Sequence, residues 1–297
     1  MSRRILCTYL GTCLAWGSVF PLVKVALEGY APADVVFGRT FLGAITLVAL
    51  TFMKRETLPR GWSTWRHLWV VGVLASVIPG LFVALAETRT SAALAGILAG
   101  MIPLATLFFL VTAFRDEPVH RHQVVGLIIG FVGLIFITGA WQGFGHNCWW
   151  AVALLIATVL SYGAVFPYIK RYLSPLHLHP LTLASGQQIA ASLTLMPFVV
   201  ASGSIHWHLA TTPTMSILVL GLFPGGLAFM WNFDTVHAWG SSAASTVEYV
   251  CAIVAVVEGV GLLHESLYWY QPVGGVIVIA GALVGWAQLP RRAASAE

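Results

Sequence analysis

The sequence predicts an all-α polytopic membrane protein with ten transmembrane helices, arranged as two inverted five-helix repeats with both termini in the cytoplasm. Three observations predict this fold: the composition, the spacing of long apolar segments, and residues that match between the two halves. Of the 297 residues, 58% are hydrophobic and only 9% are charged, whereas a typical soluble domain has about 45–50% apolar and about 25% charged residues. A soluble enzyme, a disordered chain and a nucleic-acid-binding protein are therefore excluded.

Apolar segments of the length that a bilayer core requires, about 17–25 residues, occur ten times. Their residues do not alternate between apolar and polar as the strands of a membrane barrel would, so helices are the remaining way to cross the bilayer. The first segment is too long for the apolar region of a signal peptide, and we interpret it as a retained span. The segments are about 5–27, 33–53, 68–87, 91–114, 123–140, 148–169, 180–201, 214–236, 242–263 and 268–289.

Lys and Arg are distributed unequally over the predicted loops. With the N-terminus inside, twelve of the fifteen fall on the cytoplasmic side, Arg89 falls outside, and Lys24 and Arg39 lie within spans. Because positive residues favour the cytoplasmic side during insertion, both termini are predicted to be inside. The twelve are Arg3, Arg4, Lys54, Arg55, Arg60, Arg66, Arg115, Arg121, Lys170, Arg171, Arg291 and Arg292.

The two halves of the chain match each other. The stretch 15–24 aligns with 161–170 at an offset of 146, and Arg39 falls opposite Gln187. Each half holds five spans, and because five is odd the second half must be inverted relative to the first. The repeats are predicted to cover 1–140 and 148–290. Further matches, in order, are Pro32 with Pro180, Pro79-Gly80 with Pro224-Gly225, Ser91-Ala92-Ala93 with Ser242-Ala243-Ala244, and Glu117 with Glu265.

Four motifs together resemble the EamA-type permeases of the drug/metabolite transporter superfamily. They are Trp-Gly-Ser-x-Phe-Pro at 16–21, Phe-Gly-Arg-Thr-Phe at 37–41, Thr-Ser-Ala-Ala at 90–93, and a glutamate before each glycine-rich last span. The resemblance covers essentially the whole chain and implies a secondary transporter with a central cavity between its halves. Known members mostly export amino acids, related metabolites or toxic compounds, and others carry nucleotide sugars or sugar phosphates. The sequence departs from the pattern in the ninth span, which has no proline where the fourth has Pro103.

Two repeat-matched prolines, Pro21 and Pro167, lie inside spans. A proline removes a backbone hydrogen bond, and the freed carbonyl persists where a neighbour or a wet cavity satisfies it. The prolines therefore predict either cavity walls or packing kinks.

Aromatic side chains accompany these prolines. They either hold an apolar substrate or pack between helices. A short patch in the eighth span resembles the corresponding helix of the family's aromatic amino-acid exporters. The residues are Trp16, Phe20, Tyr162 and Phe166 in the matched motif, and Trp231 and Asn232 in the patch.

Charged residues within spans are costly, about 2.5–3.5 kcal/mol even on the insertion scale. Arg39 predicts a carboxylate-binding or gating residue, or else an ion pair or a snorkelling contact. Glu248 and Glu258 are proton-coupling candidates, unless one of them pairs with Arg39 or Lys24.

No metal or cofactor site is expected. The four cysteines lack C-x-x-C spacing. His-x-His pairs could bind Zn²⁺ or Ni²⁺, but they lie in loops or at span ends on both sides of the membrane. No glycine-rich phosphate loop or nucleophile–base arrangement is present. The histidine pairs are His120/His122, His177/His179 and His206/His208.

Glycines four apart permit close helix approach, either within a monomer or in a weak homodimer. They are Gly126 and Gly130 in the fifth span and Gly281 and Gly285 in the tenth.

With the resemblance, the sequence predicts a multi-pass inner-membrane exporter of small metabolites, either amino acids or amphipathic toxic compounds, that works by alternating access. Its expected partners are a small-molecule substrate and the lipid bilayer, without nucleic acid. One alternative is an exchanger of sugar or nucleotide derivatives, which predicts a more basic cavity at mid-membrane. A membrane enzyme or structural protein would need a reactive constellation at one membrane face, and the sequence contains none.

Overall fold

The computed structural model describes residues 3–114, 121–138, 148–202, 211–239 and 244–286, and all regular structure in these ranges is helical. We number the helical segments in chain order, with short interruptions included. They are α1 (Ile5–Ala26), α2 (Pro32–Met53), α3 (Trp62–Glu87), α4 (Ala92–Phe114), α5 (Arg121–Thr138), α6 (Trp149–Leu176), α7 (Pro180–Ser202), α8 (Thr211–Trp239), α9 (Val247–Leu262) and α10 (Tyr270–Trp286).

Seven of these helices, α1–α4 and α6–α8, are long and apolar enough to cross a membrane. Shorter apolar stretches occur in α5 and α10, and α9 has 16 residues. The chain is thus an all-helical membrane protein, while the count of ten spans and the orientation stay predictions. Several residues used in the sequence argument lie outside the described ranges: Arg115, Glu117, His120, His206, His208, Ser242, Ala243, Arg291 and Arg292.

Local sequence sets the helix ends at the short turns. Pro32 opens α2 after an extended Ala31, because a proline at the first helical position has no N–H to leave unsatisfied. Ser91 opens α4, and its side chain accepts a hydrogen bond from the Leu94 N–H at 3.1 Å.

Two helices are interrupted just before a proline. The first breaks at Ser18, ahead of Pro21, and α4 breaks at Gly100–Met101, ahead of Pro103. The missing proline N–H leaves a carbonyl of the preceding turn without its helical donor. These breaks occur in two of the helices that line the cavity described below.

Wider π-helical turns occur at Val73–Val77, two residues before Pro79, and at Phe223–Leu227, which contains the matched Pro224. Side chains from the other repeat bond carbonyls in this region: Ser161 Oγ donates to the Leu74 carbonyl at 2.7 Å, and Trp16 Nε1 donates to the Pro224 carbonyl at 3.2 Å. Such turns recur at functional sites.

The two repeats interdigitate as two-fold-related units. The first helix packs against α8 and α9, and its counterpart α6 packs against α3 and α4. In the same way α2 packs on α7 and α8, α7 packs on α2 and α3, and α4 packs on α9. If each helix is replaced by its counterpart in the other repeat, so that α1 becomes α6 and α2 becomes α7, the same pairs of neighbours result. A two-fold relation between the repeats requires this.

The predicted glycine contacts lie inside the chain. The α5 and α10 helices pack mainly against each other, and a Cβ on Gly281 would lie 2.7 Å from the Gly126 carbonyl oxygen and the Gly130 nitrogen. Of the two roles predicted for these glycines, helix packing within one chain and packing in a homodimer, this contact is of the first kind.

Candidate functional site

A narrow cavity of about 30 Å³ lies between the two repeats. Helices α1–α4 of the first repeat and α6 and α9 of the second contribute its wall. The wall is mostly apolar, with a few side chains that carry charge or hydrogen-bonding groups. Those are Trp16, Arg39, Thr158, Tyr162 and Glu248.

Arg39 and Glu248 bring opposite charges into this cavity, one from each repeat. Their side chains are 6% and 4% exposed. No ion pair within 4.0 Å joins them, and Arg39 Nε is buried without a hydrogen-bond partner. Arg39 is therefore not neutralised by an ion pair with Glu248 in this structure.

Thr158 adds a second unsatisfied polar group, because its buried Oγ1 also lacks a partner. Buried polar groups without partners are rare and require an explanation. Two of them in one cavity, beside a guanidinium and a carboxylate, form a site that a ligand or water can satisfy. A guanidinium binds a carboxylate in a bidentate manner, and a carboxylate accepts hydrogen bonds from an ammonium group.

Three of the predicted aromatic side chains, Trp16, Phe20 and Tyr162, line the same cavity. Trp16 is held by its bond to the Pro224 carbonyl and by an edge-on contact with Phe229, with ring centroids 5.4 Å apart. The Tyr162 hydroxyl interacts with the Arg39 guanidinium. An aromatic wall therefore lies beside the charged groups.

Similarity to a known family shows what kind of protein carries this cavity. The model of the EamA-like transporter family matches the chain twice, over residues 3–139 and 149–285. The chain belongs to the EamA-like transporter family. Members of this family are membrane transporters and are not enzymes in the usual sense.

Relatives of this EamA-like protein are similar along nearly their whole length. An uncharacterized transporter of Archaeoglobus fulgidus is 24% identical over 281 residues, covering 93% of this chain and 95% of that one. The uncharacterized inner membrane transporter YedA of Escherichia coli K12 is 25% identical, with 91% and 87% covered. A probable terminal-alkyne amino-acid exporter of Streptantibioticus cattleyicolor is 24% identical, with 92% and 90% covered.

A solved crystal structure matches the fold of the EamA-like chain with a TM-score of 0.70 at 18% identity. It covers 95% of this chain and 97% of that chain. The likeness concerns the fold alone.

The other predicted site residues of the EamA-like chain lie away from the cavity wall. Phe166 is 1% exposed and belongs to the apolar core. Pro21 and Pro167 are buried within their helices. Trp231 packs on α1, where a Cβ on Gly11 would meet its ring at 2.9 Å.

Asn232 and Glu258, also predicted as site residues, lie outside the cavity wall as well. Asn232 is buried in α8. Glu258 is half-buried and accepts a hydrogen bond from Ser18 Oγ at 2.8 Å, at the break in α1. Glu258 therefore contacts the first repeat at this break, outside the cavity wall.

The position opposite Arg39 has a different environment. Gln187 is buried and donates to Ser76 Oγ at 3.4 Å. Ser76 donates to Gln188 Oε1 at 2.8 Å, and Gln188 Nε2 donates to the Gly225 carbonyl. This network joins α3, α7 and α8, so the site is asymmetric although the fold is repeated.

Sequence reasoning missed Thr158 and Pro79 in the cavity wall. The repeat match of Pro79-Gly80 with Pro224-Gly225 was a signal for the proline; a single threonine in an apolar helix gives none. It also missed the burial of Glu87, because a carboxylate at the end of an apolar segment is usually solvated. Within the described residues, no group of three His, Cys, Asp or Glu side chains could hold a metal ion.

Proposed function

We propose that this EamA-like protein is a secondary transporter that exports small zwitterionic metabolites, with amino acids as the first class of substrate. The observation that carries the proposal is the unpaired Arg39 and Glu248 in one cavity. A cavity with one cation and one carboxylate is complementary to a molecule that carries both an ammonium and a carboxylate group.

Arg39 and Thr158 would bind the substrate carboxylate, and Glu248 would bind its ammonium. Trp16, Phe20 and Tyr162 would pack against an apolar or aromatic side chain. This division gives each polar group of the site a partner. The name of the Streptantibioticus cattleyicolor relative, a probable amino-acid exporter, supports the same class.

Ten membrane helices with both termini in the cytoplasm, in repeats at 1–140 and 148–290, would alternate the access of this cavity. The bias of Lys and Arg supports the orientation, and the two-fold exchange of helix neighbours supports rocking of one repeat against the other. The inner membrane is the proposed location, as in the name of the Escherichia coli relative.

Glu248 is the stronger of the two proton-coupling candidates, because it faces the cavity whereas Glu258 holds Ser18. A carboxyl group that binds either a proton or the substrate ammonium couples the two by competition. Export would then be driven by proton entry.

A sugar- or nucleotide-derivative exchanger is the alternative within the superfamily. Such substrates carry phosphates, which favour a basic cavity. Arg39 is the single basic residue in the described cavity wall, and Glu248 balances it. This composition supports a zwitterion over a polyanion.

A ligand screen on the purified protein tests the proposal. Thermal-shift measurements with amino acids, lipophilic cations and nucleoside-diphosphate sugars should show stabilisation by amino acids. Glu248→Gln should weaken it, and Glu28→Gln, at an exposed carboxylate away from the cavity, should not. Stabilisation by nucleoside-diphosphate sugars alone would contradict the proposal.

A further inference from the structure

The turn between α3 and α4 is held by two charged side chains from other parts of the chain. Lys24 Nζ, from α1, donates to the carbonyls of Glu87 at 2.6 Å and Thr90 at 2.7 Å. Glu265, from the turn between α9 and α10, accepts hydrogen bonds from the N–H groups of Ala92 at 2.8 Å and Ala93 at 2.9 Å. The cation lies at a helix C-terminus and the anion at a helix N-terminus, which is the favourable arrangement.

The Glu265 contact joins the second repeat to the first. It lies where α4 and α9 pack closely: a Cβ on Gly259 would lie 2.8 Å from Glu265 Oε2 and 3.1 Å from the Ala93 Cβ. Farther along, Gly96 packs directly against Ala255. This end of the bundle is thus closed by α4 and α9, with Glu265 over the contact.

Glu87 lies beneath the contact with no exposed surface. Neither of its carboxyl oxygens has a hydrogen-bond partner. The helix segment that ends at Glu87, Ile78–Glu87, packs on α1, α2, α4 and α6. The charged side chains with electrostatic influence on the Glu87 carboxyl are Lys24 and, from the α9–α10 turn, Glu265. The Lys24 ammonium bonds backbone carbonyls rather than the Glu87 carboxyl.

Charge balance distinguishes the two carboxyl groups. The cluster holds two carboxyls and one ammonium, of which the Glu87 carboxyl is fully buried while Lys24 and Glu265 are partly exposed. Such a cluster is neutral when one carboxyl carries a proton, and burial favours the neutral form of a carboxyl group. Glu265 has two N–H donors that stabilise its carboxylate. Glu87 has none, so Glu87 is the residue that carries the proton in this arrangement.

We propose that Glu87 is a proton-binding site that controls the docking of Glu265 on α4, and with it the opening of this end of the cavity. The inference rests on the proposed transport function, because only alternating access requires this end to open. When Glu265 leaves α4, a negative charge is removed from the neighbourhood of Glu87. Glu87 then releases its proton to entering water and pairs with Lys24. Proton binding and docking therefore favour each other.

Distance measurements on substrate-free protein test this site. Nitroxide labels at Thr88→Cys and Ser266→Cys, two exposed positions on either side of the contact, would report docking by double electron–electron resonance. Cys7 and Cys148 would be replaced by Ser to remove background labelling. The short distance should dominate at pH 5, and the ratio of long to short distances should rise about tenfold by pH 8.

Three variants test whether Glu87 is the group whose protonation changes the distance between the labels. Glu87→Gln should keep the short distance at both pH values, whereas Glu265→Gln should show the long distance at both. Glu28→Gln, at an exposed carboxylate in the turn after α1, should respond like the parent. If Glu87→Gln fails to fold, Glu87→Asp should fold and keep the pH response.

A distance distribution that does not change with pH, or a pH response that survives in Glu87→Gln, would overturn the inference. If the distances do not respond to pH as expected but amino acids bind in the ligand screen, only the proton-binding site at Glu87 is contradicted. A pH response together with no binding of amino acids would contradict the proposed substrate class instead.

Discussion

Arg39 and Glu248 line one cavity from opposite repeats, yet no ion pair joins them. Breaking a buried ion pair leaves an uncompensated charge, which costs about 3–5 kcal/mol. Two buried and unpaired charges are therefore expected where a ligand or water completes the site. This relationship shows that Arg39 does not serve as an ion-pair partner of Glu248 in this structure.

Two substitutions of Arg39 test whether ligand binding needs only its positive charge or also its planar guanidinium group. Arg39→Gln should abolish the stabilisation by amino acids, and Arg39→Lys should weaken binding about tenfold or more, since a charge-assisted bond contributes about 1.5–3 kcal/mol. Calorimetric titration with the best ligand from the screen measures both. Full affinity in Arg39→Lys would mean that charge alone is needed.

The two matched aromatic positions should respond differently to substitution. Trp16→Ala should impair transport and also lower the unfolding temperature, because it removes the bond to the Pro224 carbonyl, worth about 1 kcal/mol, and buried packing. Tyr162→Ala should impair transport with a smaller loss of stability, since Tyr162 is half-buried at the cavity wall. Normal transport by both folded variants would refute the aromatic wall.

Substitutions of Glu248 and Glu258, the two glutamates of α9, should have different effects on proton-driven flux. In liposomes with a pH gradient, Glu248→Gln should lose gradient-driven flux, because the competing carboxyl is absent. Glu258→Gln should retain flux and lose only the contact with Ser18. Full gradient-driven flux in both variants would show that neither residue couples protons, leaving a uniporter or an exchanger driven by substrate gradients.

Close backbone packing of α2 against α8 predicts a steep cost for one added methyl group. A Cβ on Gly43 would clash with the Gly225 carbonyl and lie 3.2 Å from Gln188 Nε2. Gly43→Ala should therefore destabilise the protein by about 1–3 kcal/mol. Gly261→Ala, in α9 with nothing within 4 Å of its added Cβ, is the matched control and should be neutral. Equal melting temperatures would contradict this packing.

Membrane orientation can be read from two loop positions. The distribution of Lys and Arg predicts that Arg60→Cys is labelled from the cytoplasmic side and His146→Cys from the outside by an impermeant maleimide. Intact cells and inside-out vesicles should give opposite labelling patterns. The reverse result at both positions would invert the proposed topology.

Much of the fold follows from one-dimensional patterns. Long apolar segments predict where helices occur, because a bilayer admits few other structures. The repeat was visible because matched motifs such as 16–21 and 162–167 keep their order. The exact neighbours of each helix were not visible, since an apolar helix in lipid carries no strong amphipathic stripe to show which face is buried.

Composition, segment spacing and internal matches predict a repeated helical membrane protein, and they include Trp16, Phe20, Arg39, Tyr162 and Glu248 among the candidate site residues. The packing of the helices places these five around one cavity and leaves Phe166, from the same matched motif, out of its wall. It also brought Lys24, Glu87 and Glu265 together across more than two hundred residues of chain. The reason is physical: composition and spacing determine which segments leave water, whereas the rotation and packing of each helix determine which side chains meet.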